Sequence, residues 1–436
     1  MANPTMSMIH GMLYGKGLHV GKLDNLGRVI ATLTGKHADR IPFMGPQIHD
    51  HAMHITKVPA RKYYWDAELL VDVHLAVNRW YRFDSDSIIA DAYNFEVEAL
   101  GAQFIYSDTA MPTVDTNHPL IKNKSDLDKL GPLDVTKARI PMASELAGIV
   151  TEKISGPFGQ GFFCSPFSMI CQAMGYPKAV RAIMRDKVFA QELFDYVEND
   201  VIFPFMKSQK AYGAKASAGA DAWACFPNLP PDLVEEWVVP SAKRLADRCK
   251  KELKMTVAAG LAAADYCEED PEKFDKEMMF SCWETASKTM FIDVAFSGMG
   301  RTQDWNMEWL QEFALSHGKG NKKLPIFGSL NGRFMRDSSP DVIVDKIREW
   351  INIMGRGGGL LFFIGNVPSD TPSVNIHTAV ESVHKIGYYP IAGDLQSIII
   401  DTPDFLPFDE WLKGQPEEEI ILKAREWKPE EKKVFA

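Results

Sequence analysis

Residues 357–377 read GGGLLFFIGNVPSDTPSVNIH. Three glycines lead into Leu360-Leu361-Phe362-Phe363-Ile364, an apolar run too short to make a helix of its own. Such a run, bounded by glycine, reads as a strand buried on both faces, as strands of parallel sheets are. Gly365 and Asn366 end it, a loop with Pro368 and Pro372 follows, and from Asn375 to Lys385 the apolar positions take helical spacing. The unit is buried strand, polar loop, helix. A chain built from such units carries its chemistry where strands pass into loops.

The unit recurs outward from this stretch. Short apolar strands are expected at residues 40–45, 87–90, 159–163, 215–223, 255–259, 291–296, 324–329 and 359–364. Helical spacing marks residues 26–33, 65–83, 187–212, 233–253 and 375–385 between them. Eight strands interleaved with helices point to a parallel sheet closed as a (β/α)8 TIM barrel, with an open doubly wound sheet as the alternative. No GxGxxG follows an early strand, and GRGGGLL precedes its strand, so neither supports a nucleotide site. Residues 1–24 read as an N-terminal arm, 25–400 as the barrel, and 401–436 as a charged C-terminal extension broken by prolines. Residues 106–145 form a polar excursion that the spacing does not assign.

With 436 residues, 46% of them hydrophobic, the chain can bury a large core. Its net charge of −10 and the lack of any basic block argue against nucleic acid or an anionic membrane as partner. Cys164, Cys171, Cys225, Cys249, Cys267 and Cys282 show no CxxC and no regular spacing, which suits reduced thiols in a cytoplasmic protein. The first residues lack a charged region followed by an apolar core, so no signal peptide is expected. No apolar run reaches the roughly 20 residues of a membrane span.

Several pieces together match one family. They are Arg40-Ile41-Pro42, Ala99-Leu100-Gly101-Ala102, Gly156-Pro157-Phe158, Gly219-Ala220-Asp221, Pro240, Pro372-x-x-Asn375-Ile376 and Gly387-Tyr388-Tyr389. Over about residues 25–392 the chain resembles the uroporphyrinogen decarboxylase superfamily. Each motif is weak alone, but the ordered set on an eight-strand pattern is specific. The resemblance implies a single barrel with a deep site at the strand C-termini. It also implies one of two chemistries, porphyrinogen decarboxylation or methyl transfer involving a corrinoid protein.

The decarboxylase branch carries an arginine-rich loop of the form RQAGRY after the first strand, for a substrate with many carboxylates. Here residues 45–51 read GPQIHDH, without arginine. The thiol-alkylating methyltransferases hold zinc with a His-x-Cys after the fifth strand and a distant Cys. Here that stretch is VAAGLA, and the loop after the eighth strand has no cysteine. Zinc remains an option, but that site is absent. The resemblance therefore points to a corrinoid-dependent methyltransferase. It would take a methyl group from a small-molecule donor, for example a methyl ether, to the cobalt of a partner corrinoid (cobalamin) protein. No DxHxxG-type cobalamin motif occurs in the chain, so the corrinoid would arrive on that partner. A homodimer is compatible with this. The alternatives are a decarboxylase of a carboxylated substrate and a non-catalytic tetrapyrrole- or corrinoid-binding relative.

Candidate site residues follow from the strand ends. His49 and His51 alternate on one face of an extended segment, which suits a leaving-group acid or a metal, the alternative being a hydrogen-bonded pair. Asp91 and Tyr93 are candidate proton donors, and Asp221 in Gly-Ala-Asp is the foremost single carboxylate. Glu96, Phe167, Trp223, Cys225, Asn331 and Asn366 are candidate substrate contacts. For Glu96 a helix cap is the competing role, for Cys225 a buried thiol, and for Phe167 core packing.

Overall fold

The computed structural model describes residues 23–36, 38–45, 49–86, 88, 91, 93–154, 161–261, 275–290, 295–297, 307–318, 323–365 and 367–428. Just before the unassigned excursion, β1 (Phe104–Ile105) pairs antiparallel with β2 (Thr113–Val114) inside it, and the excursion also holds a turn of helix at Lys124–Leu127. The other strands are parallel. β3 (Phe162–Cys164), β4 (Ala216–Asp221) and β5 (Thr256–Leu261) pair in chain order, with Cys164 opposite Ala220 and Asp221 opposite Leu261. β6 (Ala295–Ser297), β7 (Ile326–Leu330) and β8 (Leu360–Ile364) form a second parallel group. All five β8 side chains are buried, as the unbroken apolar run requires. Gly357, Gly358 and Gly359 hold φ of +85, +84 and +79 before it, three left-handed residues in succession that only glycine adopts without strain.

The first expected strand is reduced to bridges. Phe43 pairs in parallel with Phe362 of β8, and Met44 in parallel with Ser85. The strand expected at 87–90 lies mostly outside the described residues. The stretch after residue 45 departs from expectation. His49–Thr56 is a helix, not an extended segment. Successive residues turn by about 100°, so His49 and His51 point to nearly opposite sides.

The family-like motifs meet in space. Arg40 bridges Tyr388 in antiparallel fashion, and the Ile41 amide donates to the Gly387 carbonyl (2.9 Å). Arg40 also donates twice to Asp84 (both 2.6 Å), as does Arg28 once (2.9 Å). The Phe43 amide donates to Asp84 as well (2.7 Å). Asn375, near the start of the Ser373–Ile386 helix, donates to the Met335 and Ser338 carbonyls (2.7 and 2.9 Å) and so satisfies the end of the Gly332–Asp337 helix. Pro204 and Pro240 sit inside long helices although each lacks an amide hydrogen. A widened π-type turn, Val197–Ile202 and Val234–Val238, precedes each and absorbs the missing bond.

The Ala67–Tyr81 helix is capped by Asp66, which accepts from the Leu69 amide (3.0 Å), and buries Leu69, Leu70, Val73, Val77 and Trp80. The C-terminal extension docks against it. The Trp80 indole donates to the Leu406 carbonyl (2.9 Å), Arg79 pairs with Glu417, and Arg425 donates to the Thr56 carbonyl (2.6 Å). The five described cysteines are buried thiols that form no disulfide with one another, and Cys267 lies outside the described residues. Among the described residues, no helix is long and apolar enough to cross a membrane.

Candidate active site

Two carboxyl groups flank the C-terminal end of β3. Glu96 lies on the Phe95–Ala99 helix, which opens at Asn94. Its Oε1 accepts the Cys164 amide (2.8 Å), while Oε2 is buried with no hydrogen-bond partner. Burial pushes its pKa up to about 8, against the Cys164 bond, and the negative charge of Asp91 adds to the push. Asp221 ends β4. Its Oδ1 accepts both the amide (2.9 Å) and the hydroxyl (2.6 Å) of Ser168, while Oδ2 is buried and has no partner. Burial raises Asp221 to about 6, held down by the Ser168 bonds and the nearby amides of Phe167 and Ala224. Near neutral pH the first group is therefore protonated and the second largely ionised. Such a divergence of two carboxyls is the mark of an acid and its counterpart.

The neighbours close the cluster. The Ser168 hydroxyl also accepts the Trp223 amide (3.1 Å), and the Cys225 thiol donates to the Asp221 carbonyl (3.3 Å). Trp223, 37% exposed, stacks on Tyr176 with ring centres 5.5 Å apart. Burial raises the Tyr93 hydroxyl, with further contributions from Cys225, Cys164 and Asp221. The Cys164 thiol is raised by burial and then by the charges of Glu96 and Asp221. Packing here depends on Gly219. A Cβ at that position would come within 2.5 Å of the Phe163 ring and of the Ser165 hydroxyl. Gly219→Ala is expected to lower stability by about 1–3 kcal/mol, the range for overpacking, measured by denaturant unfolding.

The remaining candidates separate from this cluster. His51 is fully buried. Its Nδ1 donates to the Ser369 carbonyl (3.1 Å), so Nε2 carries the lone pair and accepts from the Tyr81 hydroxyl (2.7 Å). His49 lies instead against His74, with ring centres 6.5 Å apart, and burial lowers it to about 4. The pair expected on one face is divided between two environments. Among the described residues, no three His, Cys, Asp or Glu side chains converge as metal ligands. Asp91 faces Arg139 (2.8 Å) and accepts from the Asn94 side chain. Phe167 is fully buried in the Pro166–Met174 helix. Asn331 caps the Gly332–Asp337 helix, accepting from the Arg333 and Phe334 amides (2.8 and 3.3 Å). Asn366 lies outside the described residues.

Sequence reasoning passed over Ser168 and Arg139. Ser168 follows the Ser165-Pro166 start of its helix, a position where a hydroxyl can reach an adjacent strand end. Arg139 closes the excursion that periodicity leaves unassigned.

Residues 25–386 match the family model of uroporphyrinogen decarboxylase (URO-D). No curated protein sequence matches the chain. Among solved structures, a methyltransferase from Methanosarcina mazei is similar, with a TM-score of 0.61 and 16% identity over 83% of this chain and 98% of its own. A B12-independent methionine synthase from Shewanella sp. W3-18-1, solved with selenomethionine, gives a TM-score of 0.42 and 14% identity over 73% of this chain and 87% of its own. The first of these likenesses is one of fold. The family match spans most of the chain, which belongs to the uroporphyrinogen decarboxylase family.

Proposed function

We propose that this protein is a methyltransferase that takes a methyl group from a small-molecule donor, such as a methyl ether, to a corrinoid held by a partner protein. The observation that carries the proposal is the Glu96–Asp221 pair, two buried carboxyls each with one oxygen anchored and one free. A reduced corrinoid brought by the partner would supply the nucleophile for the methyl carbon. The chain supplies position and a proton. Glu96 protonates the leaving oxygen as the methyl–oxygen bond breaks, which avoids release of an alkoxide. Asp221, ionised, offers Oδ2 to a hydroxyl of the donor and holds Ser168 and Trp223 in place. Tyr93, Trp223 and Cys225 line the donor, and Trp223 stands where the site opens to solvent.

The architecture that supports this is a (β/α)8 barrel spanning residues 25–400. The two parallel triplets and the bridges Phe43 to Phe362 and Met44 to Ser85 are consistent with its closure. The fold shared with a methyltransferase agrees with the chemistry. So does the stretch of residues 45–51, which holds no arginine for a polycarboxylate. The barrel would work in the cytoplasm, with residues 401–428 bracing its first long helix.

The test mixes the protein, candidate methyl donors and a reduced corrinoid, and follows the Co(I) absorbance. Donor-dependent loss of that absorbance, at least tenfold faster than without protein, is expected. No loss with any donor, together with carbon dioxide release from a carboxylated compound, would restore the decarboxylase reading.

A further inference from the structure

The Pro166–Met174 helix opens with a proline, and its N-cap Ser165 makes no side-chain bond to it. The first amides of a helix need acceptors from outside it. The Ser168 amide finds one in Asp221 Oδ1 (2.9 Å), and the Ser168 hydroxyl donates to the same oxygen (2.6 Å). Asp221 thus caps this helix from the end of the neighbouring β4. Ser168 is fully buried, and with its one hydroxyl proton given to Asp221 it accepts the Trp223 amide (3.1 Å). Trp223 in turn stacks on Tyr176, whose hydroxyl donates to the Asn228 carbonyl (2.7 Å). We propose that Ser168 is a positioning residue for the site: its hydroxyl fixes the Asp221 carboxyl in one orientation, with Oδ2 left free, and joins it to the backbone of the Trp223 rim. This rests on Asp221 acting as the anion of the proposed reaction.

Two donors on one carboxylate oxygen restrict its rotation, and both favour the charged form. The helix N-terminus adds to that preference. Removing the hydroxyl alone leaves the amide bond in place, so the carboxyl keeps one anchor and holds its charge less firmly. Its pKa then rises, because the charged form has lost a strong donor. Cys164, Cys171 and Tyr93, titratable groups that Asp221 influences, are raised by burial and stay neutral near pH 7. β5 sets Leu261 opposite Asp221, and the Cys225 thiol donates to the Asp221 carbonyl (3.3 Å). The same substitution takes the acceptor from the Trp223 amide. One hydroxyl therefore governs the anion and the rim together.

The experiment titrates the Asp221 carboxyl by infrared difference spectroscopy, with Asp221→Asn as the blank, and follows hydrogen exchange at the Trp223 amide. Ser168→Ala and Ser168→Gly both remove the hydroxyl and keep the amide. In each, the Asp221 midpoint is expected to rise by about one unit from its native place near 6. The Trp223 amide should exchange about tenfold faster. Ser168→Thr, which keeps a hydroxyl, should return both toward their native values. A merely structural serine would lower the unfolding midpoint and leave the Asp221 titration where it was. An unmoved titration or unmoved Trp223 exchange in either folded variant overturns the proposal, as does a folded Ser168→Thr that behaves like Ser168→Ala. Since two substitutions remove the hydroxyl, one that fails to fold leaves the other to decide. Neither readout needs turnover, so a protein inactive with every donor would refute the reaction while this tie was still measured.

Discussion

Glu96→Gln is expected to slow methyl transfer by about 10²- to 10⁴-fold in kcat, the span over which a positioned general acid contributes. Glutamine keeps an oxygen for the Cys164 amide, so the helix and β3 should hold together. What it removes is the proton. The loss should depend on the leaving group, being large for donors that release an alkoxide and small for donors whose leaving group departs without protonation. The native rate should fall as pH rises through about 8, where Glu96 ionises, and the variant should lack that limb. The substitution should affect stability in the sense opposite to activity. Because the folded carboxyl has a pKa raised from 4.5, the unfolded chain loses its proton first. Native stability is then whole below about 4.5 and declines as pH rises toward 8, so glutamine should melt higher than glutamate at pH 9. An equal loss with every donor, or an unchanged upper limb, would remove Glu96 from the acid role.

The sequence made some of this legible and hid the rest for physical reasons. Five apolar residues between glycines admit little besides a buried strand, so β8 could be read directly. The place of Asp221 at the end of its strand could be read in the same way. HDHAMH could not. Over six residues an alternating pattern and a helical one share most positions, and the decision falls to the distant Ser369 and Tyr81 that hold His51. Asp91 reads as a free donor only until Arg139 is placed, and Arg139 is far along the chain in a segment without periodicity. Glu96 shows the same limit from the other side. It opens a helix, as a capping residue would, yet its carboxyl reaches across to β3.

Asp84→Ala is expected to cost about 3–5 kcal/mol of folding stability, the range for breaking a buried ion pair from one side. Asp84 is 1% exposed and receives Arg28, Arg40 and the Phe43 amide, with His384 3.5 Å away. Arg28 retains Asp39 (2.6 Å), whereas the buried Arg40 guanidinium, apart from Asp84, donates only to the Ile41 carbonyl (3.0 Å) among the described residues. Burial works to raise the Asp84 carboxyl, but the bonds from His384 and Arg40, and the charge of Arg40, overcome it and hold the group at about 2, against an ordinary 3.8. A depressed carboxylate stabilises the fold above its unfolded pKa and loses that contribution as pH falls through the folded one. The native protein should therefore shed about 2 kcal/mol between pH 4 and pH 2, while the alanine variant, which has no such group, should show a flatter profile. Denaturant midpoints at pH 7 and pH 2 measure both, and a pH-independent gap between the two proteins would contradict the charge account. The arginine of the Arg-Ile-Pro motif then has a physical reason to be there. It binds the first strand segment to Asp84 just before Ser85 meets Met44, and beside His384 of the Ser373–Ile386 helix. Losing Asp84 should therefore loosen both ends of residues 25–386 together, and hydrogen exchange should rise at Phe43 and at Tyr388 in the same variant.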